Sequence, residues 1–315
     1  MFSLDGYQAL RRGAGVVRRG DRGVLAVTGA DRLTWLQGLL TNDVTALPVG
    51  AVCDAAYLTP QGRMISDMRV VNLALRTLLD VPGSLAEALQ SKLDALLFSE
   101  DAQVTDVSGQ TVIVDVHGPD APAVVRKLTD AIESRGAVVA DAPFGVPGFS
   151  VFAPSADTDA IITRATEAGA IVTTLETLDV LRVEAGRPAF LIDMDEHTIP
   201  LEAGIEDRAI SFTKGCYVGQ EVIIRVMHRG QGRVAKKLVG LTLGKSELPK
   251  RGDAILSGER EVGRITSAVW SPALQAGIAL GYVHRDFIPV GTSLLVRSTG
   301  MPISAQVSPL PFVNG

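Results

Sequence analysis

A chain of 315 residues with 46% hydrophobic and 21% charged residues has the balance of an ordinary globular protein and length for about two domains, which excludes the disordered and the small staple-dependent classes. Its formal net charge of −5 offers no global basic field, so neither a nucleic-acid backbone nor an anionic membrane is expected as a partner. Two widely separated cysteines, Cys53 and Cys216, cannot build a disulfide framework or a paired-cysteine metal site, and they fit a reducing, cytoplasmic setting.

The opening "MFSLDGYQALRRGAGVVRRG" has no apolar core of the signal-peptide kind and reads as mature sequence. "GVLAVTGADRLTWLQGLLTNDVTAL" begins as a strand and turns at Gly29. It then enters a helix behind Asp31 at the N-cap, with Leu33, Leu36, Leu39 and Leu40 at helical spacing. "AAYLTPQGRMISDMRVVNLA" reads as two strands around a Pro-Gln-Gly turn, and "RTLLDVPGSLAEALQSKLDALLF" as a strand leading into a second helix. The pattern then echoes. "VDVHGPDAPAVVRKL" places Gly118 and Asp120 where Gly29 and Asp31 stood, and "SVFAPSADTDAIITRATEAGA" repeats the second strand and helix. Two α+β lobes of similar design are expected, over residues 1–110 and 111–233, interleaved in the fold. No apolar run reaches the ~20 residues of a membrane span.

From about residue 234 the texture becomes short β-rich runs, "VAKKLVGLTL", "AILSG", "EVGRITSAVW", "IALGYV" and "TSLLVRS", separated by Gly, Pro and Ser turns. They predict a small closed barrel or sandwich over residues 234–315. "HRGQGR" at 228–233 is the join, and its Arg229 and Arg233 suit either an anionic ligand tail or an ordinary solvated hinge.

The second lobe carries the most unusual stretch, "FTKGCYVGQEVIIRV". Its "KGCY" reads as a turn, and "GQEVIIRVM" as a short helix starting at Gly219, although Val222, Ile223 and Ile224 suit a strand as well. On the helical reading Cys216 precedes unsatisfied backbone N–H groups and follows Lys214, which together favour thiolate and make Cys216 a candidate reactive thiol. The competing reading is a small buried apolar residue. No histidine lies within the stretch, and a partnership with His197, His228 or His284 does not follow from sequence. Glu221 and Arg225 stand four apart, as an exposed helical ion pair would.

The run Lys214-Gly215-Cys216-Tyr217-Val218-Gly219-Gln220-Glu221 resembles the signature of the YgfZ family, folate-binding relatives of the glycine-cleavage T-protein that support iron–sulfur cluster assembly or repair. "TGADRLTWLQGLLTNDV", "LTPQGRMISDMRV", "LRVEAGRPAF", "IPLEAG", "RGQGRVAKKLVGL" and "VGRITSAVWSP" resemble family segments in the family's order, over nearly the whole chain. The resemblance implies a three-domain arrangement, with two α+β lobes around a tetrahydrofolate pocket and a C-terminal β-barrel domain. It implies that Asp67 and Glu184 contact the pterin, whose adjacent N–H donors suit a carboxylate. It also brings in Lys214 and Arg225 as folate-binding candidates, and Asp67 and Cys216 as candidates for the chemistry. Trp35 and Gln37 match family positions too, and read as core and helix surface.

T-proteins show paired acids where this chain has Ser66-Asp67, and they lack the cysteine-bearing motif. The sequence thus sides with a folate-binding accessory factor whose partners are iron–sulfur client or assembly proteins. The alternative is a folate-dependent aminomethyl transferase, and a scaffold that has lost its ligand is the third possibility. No metal site is expected, because one thiol cannot supply the four ligands a cluster ordinarily needs.

Overall fold

The computed structural model describes residues 1–132, 136–228, 232–244, 247–298 and 301–314. The chain forms two compact units. The first comprises residues 1–58, 65–178 and 208–218, and the second residues 59–64, 179–207 and 219–315.

The first unit holds two five-stranded sheets. One runs in the order Val52–Leu58, Met64–Asn72, Thr77–Pro82, Arg22–Thr28, Gln103–Asp106. Helices Arg32–Leu39 and Ala86–Asp94 supply Trp35, Leu36, Leu39, Leu89 and Leu93 to the core on one of its faces, against Leu25, Val27, Met68, Val70 and Leu79. The other sheet runs Ile171–Val172, Gly15–Arg18, Thr111–His117, Gly148–Pro154, Ala137–Ala140, with helices Ala121–Ile132 and Thr158–Glu167 on its Val112, Val114 and Val116 face. The remaining faces meet each other through Val24, Ala26, Val71 and Leu78 on one side and Ile113, Val139 and Phe152 on the other.

The echo seen in the sequence has a structural counterpart. In each sheet a strand ends at a glycine of positive φ, Gly29 at 102° and Gly118 at 124°, and the chain then enters a helix. A Cβ at Gly29 would stand 2.1 Å from the Asp101 carbonyl oxygen, and one at Gly118 2.4 Å from that of Gly13, so both the dihedral and the contact require glycine. In each sheet that strand pairs antiparallel with one followed by a 3₁₀ turn, Gly83–Leu85 or Ser155–Asp157, and a second helix. Asp31 is the N-cap residue as expected but makes no side-chain cap bond. Its carboxylate instead accepts the backbone N–H of Asp101.

In the second unit six strands close into a barrel in the order Lys236–Leu243, Ala276–His284, Arg260–Ser271, Ala254–Ser257, Ser293–Arg297, Ile303–Ser308. Closure leaves no open sheet edge. The sixth strand, "ISAQVS", was not among the β-runs read from sequence, although its inward residues Ile303, Ala305 and Val307 alternate with polar ones. No helix of the described residues is long and apolar enough to cross a membrane.

Candidate functional site

The motif around Cys216 is pinned to the first unit by its lysine. Lys214 is 8% exposed, and its ammonium donates to the carbonyls of Gln37 (2.7 Å), Leu40 (2.7 Å) and Asn42 (2.8 Å). Gln37 stands in the last turn of helix Arg32–Leu39 and Leu40 caps it, where the last C=O groups lack intrahelical partners and the helix dipole favours a cation, and Asn42 lies just beyond. Burial pulls Lys214 down to about 8, with Asp43 acting the other way. The Tyr217 ring lies under the same ammonium at 5.3 Å, and Val218 N–H donates to Gly38 O. Upstream, Ser211 N–H donates to Thr41 O, Thr41 Oγ1 to Ala209 O, and Arg208 pairs with Asp54 at 2.9 Å.

Within this anchored loop Cys216 is exposed. The sequence expectation had Lys214 acting on the thiol, but all three of its donors are occupied by backbone carbonyls. Helix Gln220–His228 forms as read, with Gly219 at φ 85° ahead of it. The boundary between the units falls between Val218 and Gly219. Arg225 is exposed, and no ion pair joins it to Glu221 or to another described residue. Arg233 is exposed as well, whereas Arg229 lies outside the described residues. Cys53 is half-buried, and burial pushes its thiol up to about 12. Native protein is therefore expected to take up one equivalent of iodoacetamide at neutral pH, at Cys216, with Cys53 modified only on unfolding. Peptide mapping checks this, and equal labelling at both sites would contradict it.

Asp67 lies in the second strand of the hairpin read from "AAYLTPQGRMISDMRVVNLA". It sits inside strand Met64–Asn72 on the same face as Arg69 and Val71, the face turned toward the second sheet. Its Oδ1 lies 3.9 Å from Arg22 Nη1, and Ser66, wholly buried, donates its hydroxyl to the Asp67 carbonyl. Arg22 leads into a buried ionic network that sequence reasoning missed. Asp80, at 0% exposure, accepts from Arg22 Nε at 2.6 Å and Arg69 Nε at 2.7 Å. Arg69 reaches Asp141 at 3.0 Å and Ser150 Oγ at 2.8 Å. Ser150 donates to Asp115, which also receives Arg19 at 2.8 Å. His117 Nε2 stands 3.6 Å from Asp115, beyond hydrogen-bond length. Burial works to raise Asp80, but Arg22, Arg69 and Arg19 outweigh it and hold the carboxyl below its ordinary value. Asp115, between Arg19, Arg69 and His117, is likewise held well below against its burial. The sequence signal was available for two of them: Asp80 and Asp115 are each the one carboxylate in a mostly apolar strand, which a buried partner of opposite charge makes tolerable.

Glu184 ends helix Leu175–Glu184 in the second unit and is wholly buried. Its carboxylate accepts the Ser271 hydroxyl, and its carbonyl accepts the N–H groups of Phe312 and Val313 at 2.8 and 3.2 Å. Trp35 is in the core as read. Gln37 does more than cover a helix surface: its amide donates to Asp43 and accepts Val44 N–H, closing the turn that follows its helix. Among the described residues no group of three or more His, Cys, Asp or Glu is placed to hold a metal ion.

Residues 3–140 match the family described as the GCVT N-terminal domain, and residues 236–314 the glycine cleavage T-protein C-terminal barrel domain. The chain is similar to an aminomethyltransferase of Thermus thermophilus, 30% identical across 98% of this chain and 90% of the relative. It is also similar to that of Bacillus subtilis, 27% identical across 97% and 89%. The crystal structure of glycine cleavage system aminomethyltransferase T from Bartonella henselae shares the fold, with a TM-score of 0.88 at 23% identity over 99% of this chain and 89% of that one.

Proposed function

Because the chain belongs to the glycine cleavage T-protein family, we propose that it is a tetrahydrofolate-dependent one-carbon transferase of the aminomethyl-transfer type, acting in the cytoplasm. The observation that carries the reading is the full-length likeness to aminomethyltransferases at up to 30% identity. The chemistry of the residues fits the ligand. Glu184 keeps a carboxylate inside the second unit, oriented by Ser271, and Asp67 keeps one half-buried in the first beside Arg22; both are acceptors suited to the N–H groups of a pterin. When bound, tetrahydrofolate supplies the nitrogen nucleophiles that accept the one-carbon unit. Asp67 is assigned to hold, or take up, the proton of such a nitrogen, and Glu184 to fix the ring. Lys214 anchors the Cys216 loop, and Arg225 offers an exposed cation to the ligand's anionic end.

A second reading, a folate-binding factor of the YgfZ branch that serves iron–sulfur client proteins, is favoured by one observation: Cys216 is exposed on a loop otherwise fastened by Lys214, Tyr217 and Val218. Turnover separates the two. Incubated with tetrahydrofolate and an aminomethyl donor, the protein is expected to form methylene-tetrahydrofolate catalytically, and Asp67→Asn to lower that rate by about 100-fold while folate still binds. Saturable binding without turnover, together with loss of iron–sulfur enzyme maturation in cells rescued with Cys216→Ala, would establish the second reading. Absence of any folate binding would sink both.

A further inference from the structure

A cleft of about 660 Å³ opens in the second unit, between the outer face of the barrel and residues 192–202. Its floor follows from strand register. Lys236 pairs with His284, and Tyr282 with both Leu238 and Arg264. All of these point away from the barrel core, to which Val239, Leu241 and Val283 contribute. Arg251 and Arg260 complete the cationic side.

The acids of the opposite wall are occupied by the wall's own fold. Asp193 receives Arg182 and the hydroxyls of Thr266 and Ser267. Asp195 receives His197 N–H and Thr198 Oγ1. Glu202 accepts Ile199 N–H, and burial raises its carboxyl while Lys236 acts the other way. On the cationic side Arg264 is already paired with Glu261 at 2.9 Å. Lys236, Arg251 and Arg260 are exposed and have no carboxylate within ion-pairing distance among the described residues. Lys236 stands over the Tyr282 ring at 4.9 Å and Arg260 over that of Phe287 at 5.8 Å. The Tyr282 hydroxyl is buried without a hydrogen bond of ordinary geometry, although Thr198 lies near it, and burial keeps the phenol protonated as a donor. The cleft thus presents a surplus of donors, two of them guanidinium forks that match planar oxyanions, in a volume suited to a small molecule.

We infer that this cleft binds a small oxyanion-bearing molecule, carrying a phosphate or a carboxylate, through Lys236, Arg251, Arg260 and the Tyr282 hydroxyl. The site includes neither Asp67, Glu184 nor Cys216, so it stands apart from the folate reading and is tested without folate. Calorimetric titration of the full chain at low salt, with inorganic phosphate in one arm and glutarate in the other, should give saturable one-to-one binding in at least one arm. Binding of phosphate alone identifies a phosphoryl ligand, and binding of glutarate alone a carboxylate.

The Lys236→Gln/Arg260→Gln double variant should weaken binding by about 100-fold and Tyr282→Phe by about 10-fold, with Lys92→Gln in the first unit as an unaffected control. On the unmutated chain, the bound probe should protect Arg251 and Arg260 from phenylglyoxal. No saturation in either arm up to about 10 mM, unchanged affinity in the double variant, or unprotected arginines would overturn the assignment.

Discussion

Asp80→Asn is expected to destabilise the first unit by about 3–5 kcal/mol, the cost typical of breaking one partner out of a buried charge pair. Asp80 is fully buried between Arg22 and Arg69, and arginine cannot shed its charge in compensation. An amide of nearly the same shape leaves two guanidiniums short of an anion and turns an N–H₂ toward one of them. The two tryptophans make the effect readable by unit. Trp35 lies in the first core at 7% exposure and Trp270 in the barrel at 44%. In a Trp270→Phe background, urea unfolding followed by fluorescence reports the first unit alone. The midpoint should fall with the slope unchanged. A loss under about 1 kcal/mol would mean the network is solvated and contributes no more than a surface pair.

The pH dependence has a fixed sign. Asp80 and Asp115 are held below their ordinary values when folded, so the stability they contribute is complete above about pH 5 and drains away as pH falls through the folded values. The gap between wild type and Asp80→Asn should therefore narrow from about pH 5 to pH 2. A gap that stayed constant would assign the loss to packing and not to charge.

This network also marks where sequence reading stops. The central strands and helices of both lobes were legible, because Gly29 and Gly118 punctuate strand-to-helix turns and the leucine spacings are those of helices, whereas helix Leu4–Arg12 and the short strands Gly15–Arg18, Gln103–Asp106 and Ala137–Ala140 were not read. The barrel was legible from its turns, apart from its last strand, Ile303–Ser308. What pairs with what was not. Nothing local to Arg69 points to Asp141, 72 positions away, and nothing in "FTKGCY" says that its lysine closes a helix 174 residues earlier. Asp67 and Glu184 were reached only through resemblance. Their environments, a charged sheet face and a wholly buried helix end, depend on contacts between segments distant in sequence. Local propensity fixes elements; the chemistry of a site depends on which of them meet.

Lys214→Met bears most directly on that point, because it separates an anchor from a ligand contact. Methionine, one heavy atom shorter, replaces the apolar stem of lysine but donates nothing, leaving the carbonyls of Gln37, Leu40 and Asn42 without their shared donor. Hydrogen bonds to a charged group contribute about 1.5–3 kcal/mol each and do not add fully, so a loss of about 2–4 kcal/mol is expected once the carbonyls recover some water. Arginine should rescue only in part, since a planar fork cannot aim three donors at three carbonyls grouped around one nitrogen. The local signature is hydrogen exchange. Val218 and Ser211 amides, which donate to Gly38 and Thr41, should lose protection by about 10-fold or more as the loop opens. If the lysine instead served chiefly to meet a folate anion, Lys214→Met would leave the unfolding midpoint and both amides unchanged and weaken folate binding alone. The geometry favours the first result, with all three ammonium donors already on backbone oxygen.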